Sequence, residues 1–154
     1  VSHQVRAATA DDLPEIVALE RSLVEAPHWA ERDYAEIAAG VGIRRCLFVV
    51  EAVGGLAGFA VGKVVADIGE LESVAVRARS RRLGVGRALC AAVIEWCRKQ
   101  GASAVELEVR AASVGALALY QSLEFKRVGL RRRYYREPED DAVLMRLDEH
   151  APGL

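Results

Sequence analysis

Between positions 77 and 87 the chain sets five arginines, Arg77, Arg79, Arg81, Arg82 and Arg87, around two glycines, Gly84 and Gly86. That spacing suits an anion cradle. The surrounding stretch, Glu70-Leu-Glu-Ser-Val-Ala-Val-Arg-Ala-Arg-Ser-Arg-Arg-Leu-Gly-Val-Gly-Arg-Ala-Leu89, reads as a strand, a glycine loop and the start of a helix. Glycine removes the Cβ that would hold a ligand off the backbone, and a helix start leaves its first N–H groups unpaired at the positive end of the dipole. Such groups suit a pyrophosphate. The arginines make the loop far more positive than the chain's formal charge of -1, so the ligand expected there is polyanionic. Two other phosphate loops do not fit: a dinucleotide fingerprint needs a third glycine where Leu89 stands, and a P-loop needs Gly-Lys-Ser/Thr.

The elements that must position this loop follow from hydrophobic period. Val5 to Ala8 is a short strand. Thr9-Ala-Asp-Asp12 caps a helix running to about Val24, with Pro14 in its first turn, Ile16, Leu19 and Leu23 facing the core, and Glu15, Glu20 and Arg21 solvated. Ala26-Pro-His-Trp29 breaks that helix and Glu31 to Ala39 forms a second. Cys46 to Glu51, Leu56 to Val65 and Glu70 to Val76 are three strands on short turns, an antiparallel meander. Arg87 to Gln100 is the central helix, with Leu89, Val93 and Trp96 at core spacing and Gly101 as its stop. Ala104 to Arg110 alternates strictly, Val105, Leu107 and Val109 on one face and Glu106, Glu108 and Arg110 on the other. Ser113 to Ser122 is a further helix. Phe125 to Arg131 and Ala142 to Leu147 are two strands joined by 132–141. The mixed order of elements predicts an α/β sandwich.

A chain of 154 residues, 52% hydrophobic and 28% charged, suits one globular domain, 1–154, and has no apolar run long enough for a membrane span. Its first residues lack a secretory pattern, so a cytoplasmic location is expected. Cys46, Cys90 and Cys97 are odd in number and sit in apolar segments, as buried thiols do; His3, His28 and His150 have no ligand spacing.

Within this frame the loop Arg81-Arg-Leu-Gly84-Val-Gly86 matches Arg/Gln-x-x-Gly-x-Gly/Ala, which resembles the acetyl-CoA pyrophosphate loop of the GCN5-related N-acetyltransferase (GNAT) superfamily. From about Glu70 to Leu147 the chain resembles the RimI-type protein N-terminal alanine acetyltransferases of that superfamily, by Leu107-Glu-Val-Arg110, by Ala116-Leu-Ala-Leu-Tyr120 followed by Ser-Leu-x-Phe125, and by Arg132-Arg-Tyr-Tyr135 followed by Asp141-Ala-Val-Leu-Met145. The resemblance implies the GNAT fold: α/β, a mixed central sheet with an antiparallel N-terminal meander and splayed fourth and fifth strands, flanked by helices. It implies acetyl-CoA as cosubstrate, no metal, and a protein or peptide N-terminus as acceptor, with alanine or another small residue first. Carried over by position, the base falls on Glu108, the acid on Tyr120, and coenzyme contacts on Val74, Ala75 and Val76, on Arg82, Leu83, Gly84, Val85, Gly86 and Arg87, and on Ser113. Tyr134 and Tyr135 match paired tyrosines beside the incoming peptide. Glu72, with Glu70 behind it, is the rival base and otherwise an acceptor contact.

These roles are chemically reasonable. An α-amine has a pKa of about 7.7–8.0 and must lose a proton before it can attack a thioester; the leaving thiolate, with a thiol pKa of about 8.5, can take one from a tyrosine near 10. Glu106, two residues back on the same face, would tend to raise the pKa of Glu108, and Arg110 would oppose it. Trp29 either lines the acceptor site or pins its loop to the core. The chain departs from the family at Ala112, at Ser113 in place of asparagine, and at Glu124, where Leu-Gly-Phe would place glycine. Acetylation of a small-molecule amine and a non-catalytic acetyl-CoA-binding regulator are the alternatives. A nucleic-acid surface on Lys126 to Arg136 is disfavoured by the overall charge and by the acidic run Glu137 to Asp141. The oligomeric state stays open between monomer and weak dimer.

Overall fold

The computed structural model describes residues 3–23 and 29–149; the expected helix end at Val24, most of the break 26–29, and His28 and His150 lie outside them. One seven-stranded sheet carries the fold, with β1 (Val5–Ala7), β2 (Arg45–Ala52), β3 (Gly55–Val65), β4 (Ile68–Val76), β5 (Ala104–Arg110), β6 (Lys126–Arg136) and β7 (Glu139–Asp148) in the order β1-β2-β3-β4-β5-β7-β6. Four helices flank it: α1 (Leu13–Arg21), α2 (Glu31–Ala39), α3 (Val85–Lys99) and α4 (Val114–Ser122). Every pairing is antiparallel except β4 with β5. That parallel ladder is short, Ile68↔Ala104 to Glu70↔Glu106, and beyond it the two strands part.

Alternation along the meander builds two cores. Leu47, Val49, Phe59 and Val61 pack against Leu13 and Ile16 of α1 and Tyr34 and Ile37 of α2. Cys46, Val50, Ala60 and Val64 turn the other way, toward α3 and the apolar face of β5. The buried line of α3 is Val85, Leu89, Val93 and Cys97; the expected Trp96 sits at its margin, partly buried. An i, i+4 line faces the sheet squarely because α3 lies close to it: a Cβ on Gly62 would stand 2.5 Å from Val93 Cγ1. All three cysteines are free and buried, and burial pushes the Cys46 and Cys90 thiols up to about 12 and Cys97 to about 11. They are inert packing groups.

Two expectations are corrected here. Glu20 is fully buried rather than solvated, because partners from α2 and its approach reach back to its carboxylate. The final hairpin continues through the expected connection 132–141, with its turn at Glu137-Pro138. A bulge between Arg131↔Ala142 and Tyr135↔Asp140 absorbs the extra residues, Arg133 taking φ +52 with its N–H on Asp141 Oδ1 at 2.8 Å. Among the described residues no helix is long and apolar enough to cross a membrane.

At the entrance to α1, Asp12 accepts from both terminal nitrogens of Arg6 (2.8 and 2.9 Å) and from the Thr9 N–H (2.8 Å). The bond from Arg6 is the main cause that holds its carboxyl down to about 2, against burial working the other way. A depressed carboxyl stabilises the fold above its unfolded value, and that stability is lost as pH falls through the folded one. Unfolding midpoints in urea therefore drop between about pH 4 and about pH 2, and Asp12→Asn flattens that part of the curve.

Candidate active site

The cradle begins where β4 ends. Arg77 Nε donates to the buried Ser80 Oγ at 2.9 Å, closing a tight turn over Ala78–Ser80. Arg82 then takes φ +62 and Gly84 φ +84. A left-handed arginine costs about 1–2 kcal/mol, a strain held at this loop. Inside α3 the N–H of Ala88 bonds the Gly84 carbonyl at 3.0 Å; those of Val85, Gly86 and Arg87 come before it, at the positive end of the helix. The space in front of Gly84 is open, since a Cβ there would meet only the His3 ring, at 3.8 Å. The residues present therefore fit a diphosphate.

From the cradle a cleft of about 1210 Å³ runs between the parted strands. Val74, Ala75 and Val76 form its β4 wall, and Arg82, Gly84, Val85, Gly86 and Arg87 its cradle end. Ser113 and Tyr120 border it from the β5–α4 corner, and Glu72, Glu108, Tyr134 and Tyr135 also line it. Leu83 differs from the expectation: its side chain is 60% exposed and does not line the cleft, and its carbonyl takes a hydrogen bond from the His3 ring. The residues on either side, Arg82 and Gly84, both take positive φ, and this turn of the backbone directs the Leu83 side chain outward.

The two candidate bases differ in what surrounds them. Glu72 is the extra residue of a bulge, between Val61↔Ser73 and Gly62↔Leu71. Its side chain is 8% exposed, and Arg45 grips both oxygens, Nε to Oε1 at 2.8 Å and the second nitrogen to Oε2 at 3.3 Å. Lys63 stands 4.0 Å away. Glu108 is more open, its side chain 30% exposed, with Arg131 at 3.7 Å. The nearby charge of Glu108 is the main cause that raises the Tyr134 phenol above its usual value. The neighbouring charge of Glu106 is met by Arg146 at 2.9 Å rather than left to press on Glu108. Of the two, Glu108 is the better placed to receive a proton.

Tyr120 packs edge-on to Phe125, ring centres 6.0 Å apart, and burial first, then Cys90 and Tyr135, raises its phenol. It stays protonated and able to donate through the whole working range. Tyr134 and Tyr135 are sequence neighbours, yet both line the cleft, because the bulge cancels the strand alternation between them. Their rings meet edge-on at 5.2 Å, and the Arg110 guanidinium lies 4.2 Å over Tyr135. Ser113 holds the N-cap position of α4 without a side-chain capping bond. Glu124 itself takes φ +72, doing at some strain what glycine would do freely.

Trp29 resolves to its second reading: it packs with the α1–α2 core and does not line the cleft. Ser22 and Leu23 at the end of α1 do line it, and the sequence carries no signal for that, since the fold brings them to β4 and β5 from far along the chain. Among the described residues no three His, Cys, Asp or Glu side chains converge as metal ligands do.

A glycine cradle at a helix start, opening into a cleft between splayed strands with carboxylate and phenol beside it, is the arrangement of an acyl-transfer enzyme. Residues 11–125 match the model of the acetyltransferase (GNAT) family, and the chain belongs to that family. It is 36% identical over 138 residues to the ribosomal protein bS18-alanine N-acetyltransferase of Escherichia coli (strain K12), a match covering 88% of this chain and 90% of that one. The crystal structure of the E. coli ribosomal-protein-S18-alanine N-acetyltransferase is similar with a TM-score of 0.81 at 32% identity, over 99% of both chains. The N-alpha-acetyltransferase RimI of Mycobacterium tuberculosis is 42% identical over 84 residues, 54% of this chain and 51% of that one.

Proposed function

We propose that this enzyme transfers the acetyl group of acetyl-CoA directly to the N-terminal α-amine of a protein whose first residue is alanine or another small one. The observation that carries this is the single cleft joining the diphosphate cradle to Glu108 and the paired tyrosines. The cradle holds the coenzyme's pyrophosphate on α3 N–H groups and arginines, and the β4 backbone past Glu70, no longer paired with β5, guides the pantetheine toward Glu108. Glu108 takes one proton from the acceptor ammonium, directly or through a water. The freed nitrogen attacks the thioester carbon, the C–N bond forms as the C–S bond breaks, Tyr120 gives its proton to the departing sulfur, and the second proton shed by the nitrogen returns through water to the phenolate. Glu72, neutralised by Arg45, contacts the acceptor instead of acting as base.

The acceptor preference rests on Tyr134 and Tyr135, whose rings narrow the slot so that an extended terminus enters more easily than a branched internal side chain. An α-amine also asks less of the base than lysine, whose pKa is about 10.4. Mass spectrometry of peptides with different first residues, incubated with acetyl-CoA, is expected to find acetyl on the terminal nitrogen of alanine- and serine-led peptides and little on internal lysine. Tyr134→Ala or Tyr135→Ala raises peptide KM by about tenfold, the worth of one oriented hydrogen bond, and leaves acetyl-CoA KM nearly unchanged. Preferential modification of internal lysine, or of small amines over every peptide tried, would sink the N-terminal reading.

A further inference from the structure

Among the described residues Glu20 is the most deeply buried charged side chain, and it takes no part in the chemistry above. Its Oε2 accepts from the Trp29 N–H at 2.8 Å and from the Tyr34 hydroxyl, and its Oε1 from Arg21. Arg21 in turn bonds the Trp29 carbonyl at 2.9 Å. One carboxylate on the last turn of α1 thus ties down the residue at which the chain approaches α2. Burying an ion is expensive unless its oxygens are satisfied, so these bonds hold Trp29 to one place. The Trp29 ring packs on Tyr34 at 5.6 Å, and the Arg45 guanidinium lies 6.0 Å from its centre. Arg45 is the residue that grips both oxygens of Glu72 in the cleft. Ser22 and Leu23, just past Glu20, are themselves part of the cleft wall.

We propose that Glu20 is a positioning residue for the acceptor: through Trp29 and Arg45 it fixes Glu72, and through the end of α1 it fixes Ser22 and Leu23, so that one side of the acceptor slot is preset before the amine arrives. The cradle lies at the other end of the cleft and shares none of these contacts. The inference rests on the acetyl-transfer reading but not on which amine is the acceptor.

The test is steady-state kinetics of Glu20→Gln, Glu20→Ala and Tyr34→Phe with acetyl-CoA and whichever amine the unaltered enzyme acetylates best, beginning with an alanine-led peptide, well below each variant's melting temperature. Acceptor KM is expected to rise about tenfold in Glu20→Ala and less in Glu20→Gln and Tyr34→Phe, which keep part of the hydrogen bonding, with acetyl-CoA KM changed less than about twofold. Trp29→Ala combined with Glu20→Ala is expected to be little worse than the poorer single variant, since both act along one chain of contacts. Should Glu20→Ala fail to fold, Tyr34→Phe, which removes one hydroxyl, decides alone. Equal rises in both KM values, or none in a folded variant, would overturn the proposal and leave Glu20 a packing element. A wild-type enzyme that prefers a small amine would overturn the N-terminal reading instead, and the same comparison is then made with that amine.

Discussion

Glu108→Gln slows acetyl transfer by about 10²–10³-fold at pH 7, within the range general-base catalysis supplies, and the deficit shrinks as pH rises. The sign follows from the acceptor. Below its pKa of about 7.7–8.0 the α-amine is mostly ammonium and cannot attack until a base, the role proposed for Glu108, removes a proton; above it the free amine is already abundant. Glutamine is nearly isosteric, so the substitution removes basicity more than shape. The loss belongs in kcat/KM for the peptide, with acetyl-CoA KM little altered. Tyr120→Phe behaves differently: its phenol, raised by burial, is protonated at every working pH, so its loss is not recovered in alkali. Rate profiles from about pH 6 to about pH 9.5 with an alanine-led peptide read both effects. Equal loss at every pH for Glu108→Gln, with a pH-dependent loss for Glu72→Gln, would move the base to Glu72 and require Arg45 to release it.

Gly84→Val weakens coenzyme binding by at least about 100-fold, equivalent to roughly 2.8 kcal/mol. Gly84 sits at φ +84 at the mouth of the cradle, where a β-branched residue is a strained outlier and its methyls occupy the space the diphosphate needs. The fold itself tolerates the change better than the site does, because a Cβ there meets only the exposed His3 ring, at 3.8 Å. Titration calorimetry with CoA gives the affinity and a melting curve reports the fold. Gly84→Ala, smaller but at the same φ, falls between. Unchanged CoA affinity in a folded Gly84→Val protein would place the cradle elsewhere. Gly86 lacks this leverage: its φ is not positive, and an added Cβ would make ordinary contacts at 3.4 Å with Leu119 and 3.6 Å with Val76.

Much of this molecule is written locally. The two-residue alternation of Ala104 to Arg110 puts Glu108 on the face opposite Leu107 and Val109 whatever else happens, and β5 has those bounds. Gly84 and Gly86 after a strand, among arginines, announce a helix start suited to an anion, because backbone freedom and helix polarity are properties of a few adjacent residues. The meander, the central helix and the buried cysteines follow from period and composition in the same way. What the sequence could not carry depends on pairings between residues far apart in it. A strand pattern does not announce that β4 and β5 stay together for three pairs and then part, and the cleft exists only because they do. Bulges are equally silent: one turns Glu72 out of its ladder into the grip of Arg45, and another brings Tyr134 and Tyr135 to the same side against the alternation that would separate them. Glu20 on a helix of mixed polarity looks solvated until Tyr34 and Trp29 reach back to it. The residues able to do the chemistry were thus set by sequence, whereas which carboxylate is left open to receive a proton was decided by tertiary pairing, because a charge is freed or neutralised by whatever lies within a few ångströms of it in space.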